Sequence, residues 1–119
     1  MRNHRKLKAF ELADSLALTA YQLTRRFPKD EIFGMTSQIR RAAVSVLSNI
    51  VEGCARNTEK DYLHFHTAYG SAKEVEYQAT LAYRLGYLKT SELEESAAET
   101  ARVLNGLINA LRKGDGEQS

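Results

Sequence analysis

The sequence predicts an all-α protein, specifically an antiparallel up-down-up-down four-helix bundle. The chain contains one proline, and it is rich in alanine, leucine, glutamate and arginine, which favour helix. Four segments repeat apolar residues at helical spacing, and no segment alternates in the manner of a strand. Because these segments are long and their connections are short, sequential helices are expected to be antiparallel neighbours.

Helix boundaries follow from local stop and start signals. Pro28 ends the first helix, because its ring disfavours helical geometry in the preceding residue. Ser91 and Glu94 have the spacing of a capping box, and Gly114 is a helix-ending residue. The predicted helices span approximately Lys8 to Phe27, Met35 to Arg56, Thr58 to Gly86, and Ser91 to Lys113. We therefore expect one domain over residues 1–119, with a basic N-terminal tail at about 1–7 and a disordered C-terminal tail at about 114–119.

Composition restricts the cellular setting. Cys54 is the single cysteine, so an internal disulfide is impossible, which fits a reducing compartment. No apolar run approaches the roughly 20 residues that span a bilayer, and the basic N-terminus lacks the apolar stretch of a secretion signal. We expect a cytoplasmic protein without a membrane partner.

Charge is distributed unevenly along the chain. Residues 1–58 carry ten Lys/Arg against five Asp/Glu, whereas residues 59–119 carry seven against ten. A basic first half can attract nucleic acid, although a solvated surface with a basic tail is the favoured interpretation. The candidate nucleic-acid contacts are Arg2, Arg5, Lys6, Lys8, Arg25, Arg26 and Lys29.

The first two predicted helices have more apolar surface than a single core requires. Helix 2 carries one apolar stripe that includes Ile39, Val46 and Ile50, and beside it a second stripe of Val44, Leu47 and Val51. One core needs an apolar arc of about 100°. Exposed apolar stripes of this length are uncommon on monomers, so the pattern predicts a homo-oligomer, with uneven packing inside one subunit as the alternative.

Tyrosines on helix 3 suggest a further contact surface. Tyr62, Tyr69 and Tyr77 lie at similar angles on the predicted helix, near basic residues. Interleaved aromatic and basic groups can stack on bases, but tyrosine is equally suited to subunit interfaces. We favour the interface, so these tyrosines join Val44, Leu47 and Val51 as candidate oligomer contacts.

Polar residues form one narrow band on helix 2 and another on helix 3. Because each band lies between apolar stripes, we expect the two bands to meet and form a partly buried network in which Arg41 and Glu74 participate. Such a network would set the helix register; a ligand-binding groove is the alternative. The predicted members are Gln38, Arg41, Ser45, Asn49, Glu52, Ser71, Glu74 and Gln78.

The sequence contains no convincing catalytic, cofactor or metal site. Asp61 and His64 give one weak Asp-x-x-His spacing, and His66 points about 160° away from His64, so the two histidines do not easily share a metal. Phosphate-binding glycine loops, nucleophile elbows and zinc-ligand spacings are absent from the sequence. We predict a non-enzymatic protein with no cofactor and no metal.

The stretch FPKDEIFGMTSQIRRAAVSVLSNIVEGCAR resembles a family signature. It is similar to the pattern FP..E.(Y/F)G(L/M)..Q(I/L)RRA..S(I/V).SNI.EG..R of the four-helix-bundle family labelled 23S rRNA intervening-sequence proteins. Downstream, YGSAKEVEYQ resembles the GS..E segment of that family. One departure is Leu47, where the family often has proline.

The resemblance implies a four-helix bundle that assembles into a closed five-membered ring. The family is named for genes inside rRNA intervening sequences, which describes gene location and does not imply rRNA binding. We therefore expect a homo-oligomeric scaffold or adaptor, most simply a pentamer. A nucleic-acid-associated accessory module and a ligand-binding bundle are the alternatives.

Overall fold

The computed structural model describes residues 3–56 and 61–118, and within these residues every regular element is helical. We number the four long helices in chain order: α1 is Lys8–Thr24, α2 is Met35–Ala55, α3 is Asp61–Arg84 and α4 is Glu92–Gln118. Short 3₁₀ turns precede α1 and α2, at His4–Lys6 and Lys29–Glu31. The predicted all-α four-helix fold is confirmed.

The helices pack around a square. Each helix packs beside the next one along the chain and α4 also packs beside α1, whereas in the described residues the Cα atoms of the diagonal pairs α1/α3 and α2/α4 do not come within 8 Å of each other. The particle is elongated, measuring 51 × 20 × 20 Å. Side-chain pairs show that α2 and α3 are antiparallel, because residue numbers rise on α2 as they fall on α3: Gln38 with Gln78, Ser45 with Ser71, and Asn49 with His64.

The core is built from a few large side chains set among many alanines. Phe65 is fully buried, as are Leu16, Ile39 and Leu104. Small side chains let neighbouring helix axes approach closely, because the interaxial distance depends on the residues at the contact. Buried alanines occur on all four helices, at positions 9, 13, 17, 20, 42, 43, 68, 72, 79, 82, 97 and 101.

Two predicted helix ends require correction. α1 ends at Thr24 rather than Phe27, and the Phe27 amide donates to the Thr24 carbonyl in a turn that buries the ring. α4 continues through Gly114 to Gln118, so the predicted helix end near Lys113 is wrong. Glycine costs only about 1 kcal/mol in a helix interior and does not by itself end a helix.

The α3–α4 connection differs from its predicted chemistry. The capping box of Ser91 and Glu94 does not form, because the Glu94 carboxylate instead accepts from Thr80 Oγ1 at 2.7 Å and joins α4 to α3. Gly86 has φ of +84° and follows the end of α3, where the Tyr87 amide donates to the Ala82 carbonyl. This hydrogen-bond pattern is a Schellman motif, which favours glycine at that position. The capping threonine predicted for α3, Thr58, lies outside the described residues.

Candidate functional site

The polar bands of α2 and α3 do meet, and we call the contacting residues the polar seam. Ser45 and Ser71 share a hydrogen bond of 2.8 Å between their hydroxyl oxygens. Asn49 donates to the Ser45 carbonyl at 2.9 Å, and its own side-chain oxygen lies 3.3 Å from His64 Nδ1. At the other end of the seam, Gln78 donates to Gln38 at 3.3 Å.

Three predicted members lie outside the seam. Arg41, Glu52 and Glu74 are exposed, and no ion pair joins any two of them anywhere in residues 3–56 and 61–118. The Glu52 carboxylate oxygen Oε2 instead lies 3.7 Å from Nε of Arg56, one helical turn away. The expected arginine–glutamate pairing is therefore wrong, because the small Ser45 and Ser71 bring the helices together and leave the longer side chains at the rim.

His64 is the seam residue that the sequence interpretation did not include. From the sequence alone it enters one weak Asp-x-x-His spacing, and no polar partner on α2 is predicted for it. Its spacing from Ser71 and Gln78 is seven and fourteen residues, which places all three on one side of a helix. That periodicity was the signal that could have identified it.

Ser71→Ala and Glu74→Ala test the seam as a matched pair on the same helix. Ser71→Ala removes the hydrogen bond to the partly buried Ser45, and we expect a loss of about 1 kcal/mol in the free energy of unfolding. Glu74→Ala changes an exposed side chain and should alter that free energy by less than about 0.5 kcal/mol. Chemical denaturation of both variants measures the difference. A larger loss for Glu74→Ala would contradict the seam as described.

Several apolar side chains on the outer side of α1 and α2 are exposed. Val44 is 41% exposed and Val51 is 37% exposed, whereas Leu47 is partly buried against the core. Arg40 stacks on Tyr21 of α1; Val44 follows Arg40 by one turn on α2, and Leu18 precedes Tyr21 by about one turn on α1. We call Leu18, Tyr21, Val44 and Val51 the outer apolar face.

The predicted tyrosine surface is divided. Tyr77 is 63% exposed on α3, but Tyr69 packs against the core and Tyr62 is half-buried in an edge contact with the His66 ring. Tyr87 lies beyond the end of α3, where it packs on Phe27 with 5.3 Å between ring centroids. Of the three tyrosines predicted to form a contact surface on α3, Tyr77 is thus the one whose side chain is widely exposed.

Arg40 joins α2 to the C-terminal end of α1. Its Nε donates to Thr24 Oγ1 at 2.9 Å, and its guanidinium carbon lies 4.7 Å from the centroid of the Tyr21 ring. Thr24 is buried and donates its own hydroxyl proton to the Ala20 carbonyl at 2.7 Å. These contacts satisfy polar groups at the end of α1 and set its position against α2.

Glu31 joins both connections at this end of the bundle. One carboxylate oxygen accepts from the Met35 amide at 3.2 Å, which satisfies a free donor at the start of α2. The other accepts from the Tyr87 hydroxyl at 2.9 Å, and this hydrogen bond raises the pKa of Tyr87 above its ordinary value. A β-carbon added at Gly34 would lie 2.7 Å from the first oxygen, so glycine makes room for the carboxylate.

Two grooves open at the same end of the molecule. The first, of about 520 Å³, lies between the end of α1 and the α3–α4 connection and is lined by Leu23, Arg26, Pro28, Gly86, Tyr87, Leu88, Lys89, Thr90 and Glu92. The second, of about 340 Å³, lies between α1 and α2 and is lined by Tyr21, Ile32, Thr36, Ser37, Arg40 and Arg41. Among the residues of the predicted polar network, Arg41 lines the second groove. Ser45, Asn49 and Glu74 line neither groove.

The candidate nucleic-acid contacts do not form one patch. Arg5 and Lys8 are exposed near the start of α1, and Arg25, Arg26 and Lys29 are exposed beyond its end. The 17 residues of α1 separate the two groups by roughly 25 Å at 1.5 Å per residue. Arg2 and the side chain of Lys6 lie outside the described part of the structure.

The described residues contain neither a metal-binding cluster nor a membrane-spanning helix. No group of three His, Cys, Asp or Glu side chains there is arranged to hold a metal ion. None of the helices in that same part of the chain combines the length and apolarity needed to cross a membrane.

Comparison with known proteins relates the whole bundle to one family. The family model described as 23S rRNA-intervening sequence protein matches residues 5–109. Among solved structures, the chain is similar to a protein of unknown function from the S23 ribosomal protein family of Bacteroides thetaiotaomicron VPI-5482. The two share 22% sequence identity with a TM-score of 0.76, over 85% of this chain and 95% of that chain.

No curated protein matches the sequence. The solved relative, at 22% identity, supports the fold. The family match covers α1, α2, α3, α4 as far as residue 109, and the α1–α2 connection that contains Glu31 and Gly34. This chain belongs to the family of 23S rRNA-intervening sequence proteins.

Proposed function

We propose that the chain is a non-enzymatic scaffold or adaptor that acts in the cytoplasm as a closed homo-oligomer, most simply a ring of five. The observation that supports assembly is the outer apolar face, where Leu18 and Tyr21 of α1 and Val44 and Val51 of the neighbouring α2 are all exposed. Monomers rarely leave large contiguous apolar patches in water, and such patches commonly mark interaction sites. A second copy of the chain is the simplest partner that covers them.

Further apolar side chains are exposed away from this face. Leu63 and Tyr77 lie on α3 and are 51% and 63% exposed. A closed ring requires two different patches on each subunit, because each copy contacts its two neighbours through different surfaces. Exposed apolar groups on more than one side of the bundle are consistent with that requirement.

The polar seam supports a structural role rather than a ligand site. Direct hydrogen bonds join α2 to α3 in the seam, between Ser45 and Ser71, Asn49 and His64, and Gln38 and Gln78, and Ser45 and Asn49 are partly buried there. Direct pairing of this kind sets helix register. The separation of the basic residues along α1 likewise favours assembly over a continuous nucleic-acid surface, since phosphate binding depends on clustered cations.

Val44→Asp and Val51→Asp test the assembly. We expect each variant to reduce self-association sharply, because a buried unpaired carboxylate at an interface is costly, while helicity is retained because both side chains are exposed in the subunit. Sedimentation velocity measures the particle mass, and circular dichroism measures helicity. Wild-type protein should sediment as a multiple of the 13.4 kDa subunit.

Asn105→Asp on α4 is the control for added charge, since residue 105 is exposed and lies outside the outer apolar face. It should assemble as wild type does. Wild-type protein that sediments as a single 13.4 kDa subunit at micromolar concentration would overturn the proposed function.

A further inference from the structure

Phe33 is the most exposed large apolar side chain on the described surface, at 93%, and its neighbour Ile32 is 56% exposed. The loop that carries Phe33 is held on both sides. The Glu31 carboxylate accepts from Met35 and Tyr87, and the Gly34 amide donates to the Glu31 carbonyl at 2.9 Å. A pre-ordered loop thus presents an aromatic ring to solvent. Aromatic side chains that become buried in a partner often contribute most of the binding free energy of an interface.

The first groove has the size and chemistry to receive such a ring. Its volume of about 520 Å³ lies within the range of sites that enclose small ligands. Leu23, Pro28, Tyr87 and Leu88 supply apolar walls. Arg26 and Lys89 are exposed at its edge, where Glu92 is the one acidic lining residue.

We propose that Phe33 of one copy inserts into this groove of a second copy. The inference rests on the proposed self-assembly and names the residues that carry it. Charge supports a second copy as the occupant, because exposed Asp30 lies three residues before Phe33 and would enter beside Arg26 and Lys89. Lys29 is the cation next to Asp30, and it can face Glu92 of the groove.

The positions of ring and groove suit a closed assembly. Both lie at the same end of the bundle, because Pro28 lines the groove and Glu31, from the Phe33 loop, bonds to the groove residue Tyr87. They lie on different sides, since Ile32 lines the α1–α2 groove and the receiving groove is formed by α1 and the α3–α4 connection. When two different patches of a subunit lie at the same level along the long axis of the bundle, copies of the subunit can repeat the contact between them until the assembly closes into a ring.

Phe33→Asp is the direct test. We expect the dissociation constant for self-association to rise by about 30-fold or more, since loss of a central aromatic anchor has an effect of that order. Phe33→Leu should retain most of the assembly, and Asn105→Asp should retain all of it. Circular dichroism should show wild-type helicity in each variant, because Phe33 makes almost no contact within its own subunit.

Mixing two defective variants distinguishes this contact from a symmetric one. Thr90→Arg blocks the groove at an exposed lining residue, and Phe33→Asp removes the ring. At a concentration where the wild type assembles and each variant alone is monomeric, their equimolar mixture should form heterodimers, because one intact ring and one intact groove remain. A mixture that stays monomeric would overturn the inference.

Two further outcomes separate this inference from the proposed function. If wild-type protein assembles and Phe33→Asp assembles equally well, Phe33 does not enter a partner and only this inference fails. If wild-type protein is monomeric, the proposed assembly and this inference both fail. Restoration of assembly when Asp30→Lys is combined with Lys89→Glu, each defective alone, would support the docking orientation.

Discussion

Phe65→Ala is expected to lower the free energy of unfolding by about 3–5 kcal/mol, the range for removing a buried aromatic ring. Phe65 is fully buried and is the largest completely enclosed side chain of the described core. Alanines one and two turns along the same helix, Ala68 and Ala72, have no atoms that can move into the vacated space. The cavity should therefore persist, and its cost adds to the lost transfer free energy.

Urea denaturation at one fixed protein concentration measures this loss, because the proposed assembly would make the apparent stability depend on concentration. Tyr83→Ala is the matched control, since that aromatic side chain on the same helix is 52% exposed. Its free energy of unfolding should change by less than about 0.5 kcal/mol. Equal losses for the two variants would show that Phe65 is not the centre of the core.

The helices were predictable because apolar residues recur along each of them at helical spacing, which is a local property of the sequence. The apolar spacing around Ile39, Val46 and Ile50 identifies the buried side of α2, and all three are fully buried. The end of α4 was not predictable in the same way. Glycine lowers helix propensity only modestly, so Gly114 is compatible with either outcome.

The polar seam was predictable in position and in most of its members, but not in the depth of each side chain. Spacing places Arg41 and Ser45 on the same side of α2, yet the depth of a side chain depends on how closely α3 approaches. Ser45 meets Ser71 directly, and Arg41 is left exposed. The hydrogen bond between Thr80 and Glu94 was also not predictable from the sequence. The same glutamate can either complete a capping box with Ser91 or accept from another helix, and the sequence does not decide between them.

Gly34→Ala is expected to destabilise the protein by displacing the Glu31 carboxylate. The added methyl group would lie 2.7 Å from the Glu31 carboxylate oxygen, so the flexible carboxylate must move away. The Met35 amide then loses its acceptor at the start of α2, and loss of such a cap costs about 1 kcal/mol. Thermal or urea unfolding of Gly34→Ala measures this cost.

A double-mutant cycle identifies the cause. Glu31→Ala alone should be at least as destabilising as Gly34→Ala, because it removes the carboxylate altogether. If displacement of that carboxylate explains the effect, Gly34→Ala should cost almost nothing further in the Glu31→Ala background, since the methyl group then has nothing to displace. If the losses in the free energy of unfolding simply added, Gly34 would act through something other than the Glu31 carboxylate.

Tyrosine ionisation gives a second, independent measure of the same carboxylate. The hydrogen bond to Glu31 raises the pKa of Tyr87, so in the wild type this phenol should ionise at higher pH than an ordinary tyrosine. Both Gly34→Ala and Glu31→Ala should lower that pKa, and Tyr87→Phe identifies the affected band among the six tyrosines in an ultraviolet absorbance titration. Because the pKa is raised in the folded state, the stabilisation from this bond is complete below the ordinary tyrosine pKa and is lost as pH rises through the folded value. The stability difference between wild type and Gly34→Ala should therefore shrink at strongly alkaline pH, and a difference that instead grew there would show that Tyr87 is held by something other than Glu31.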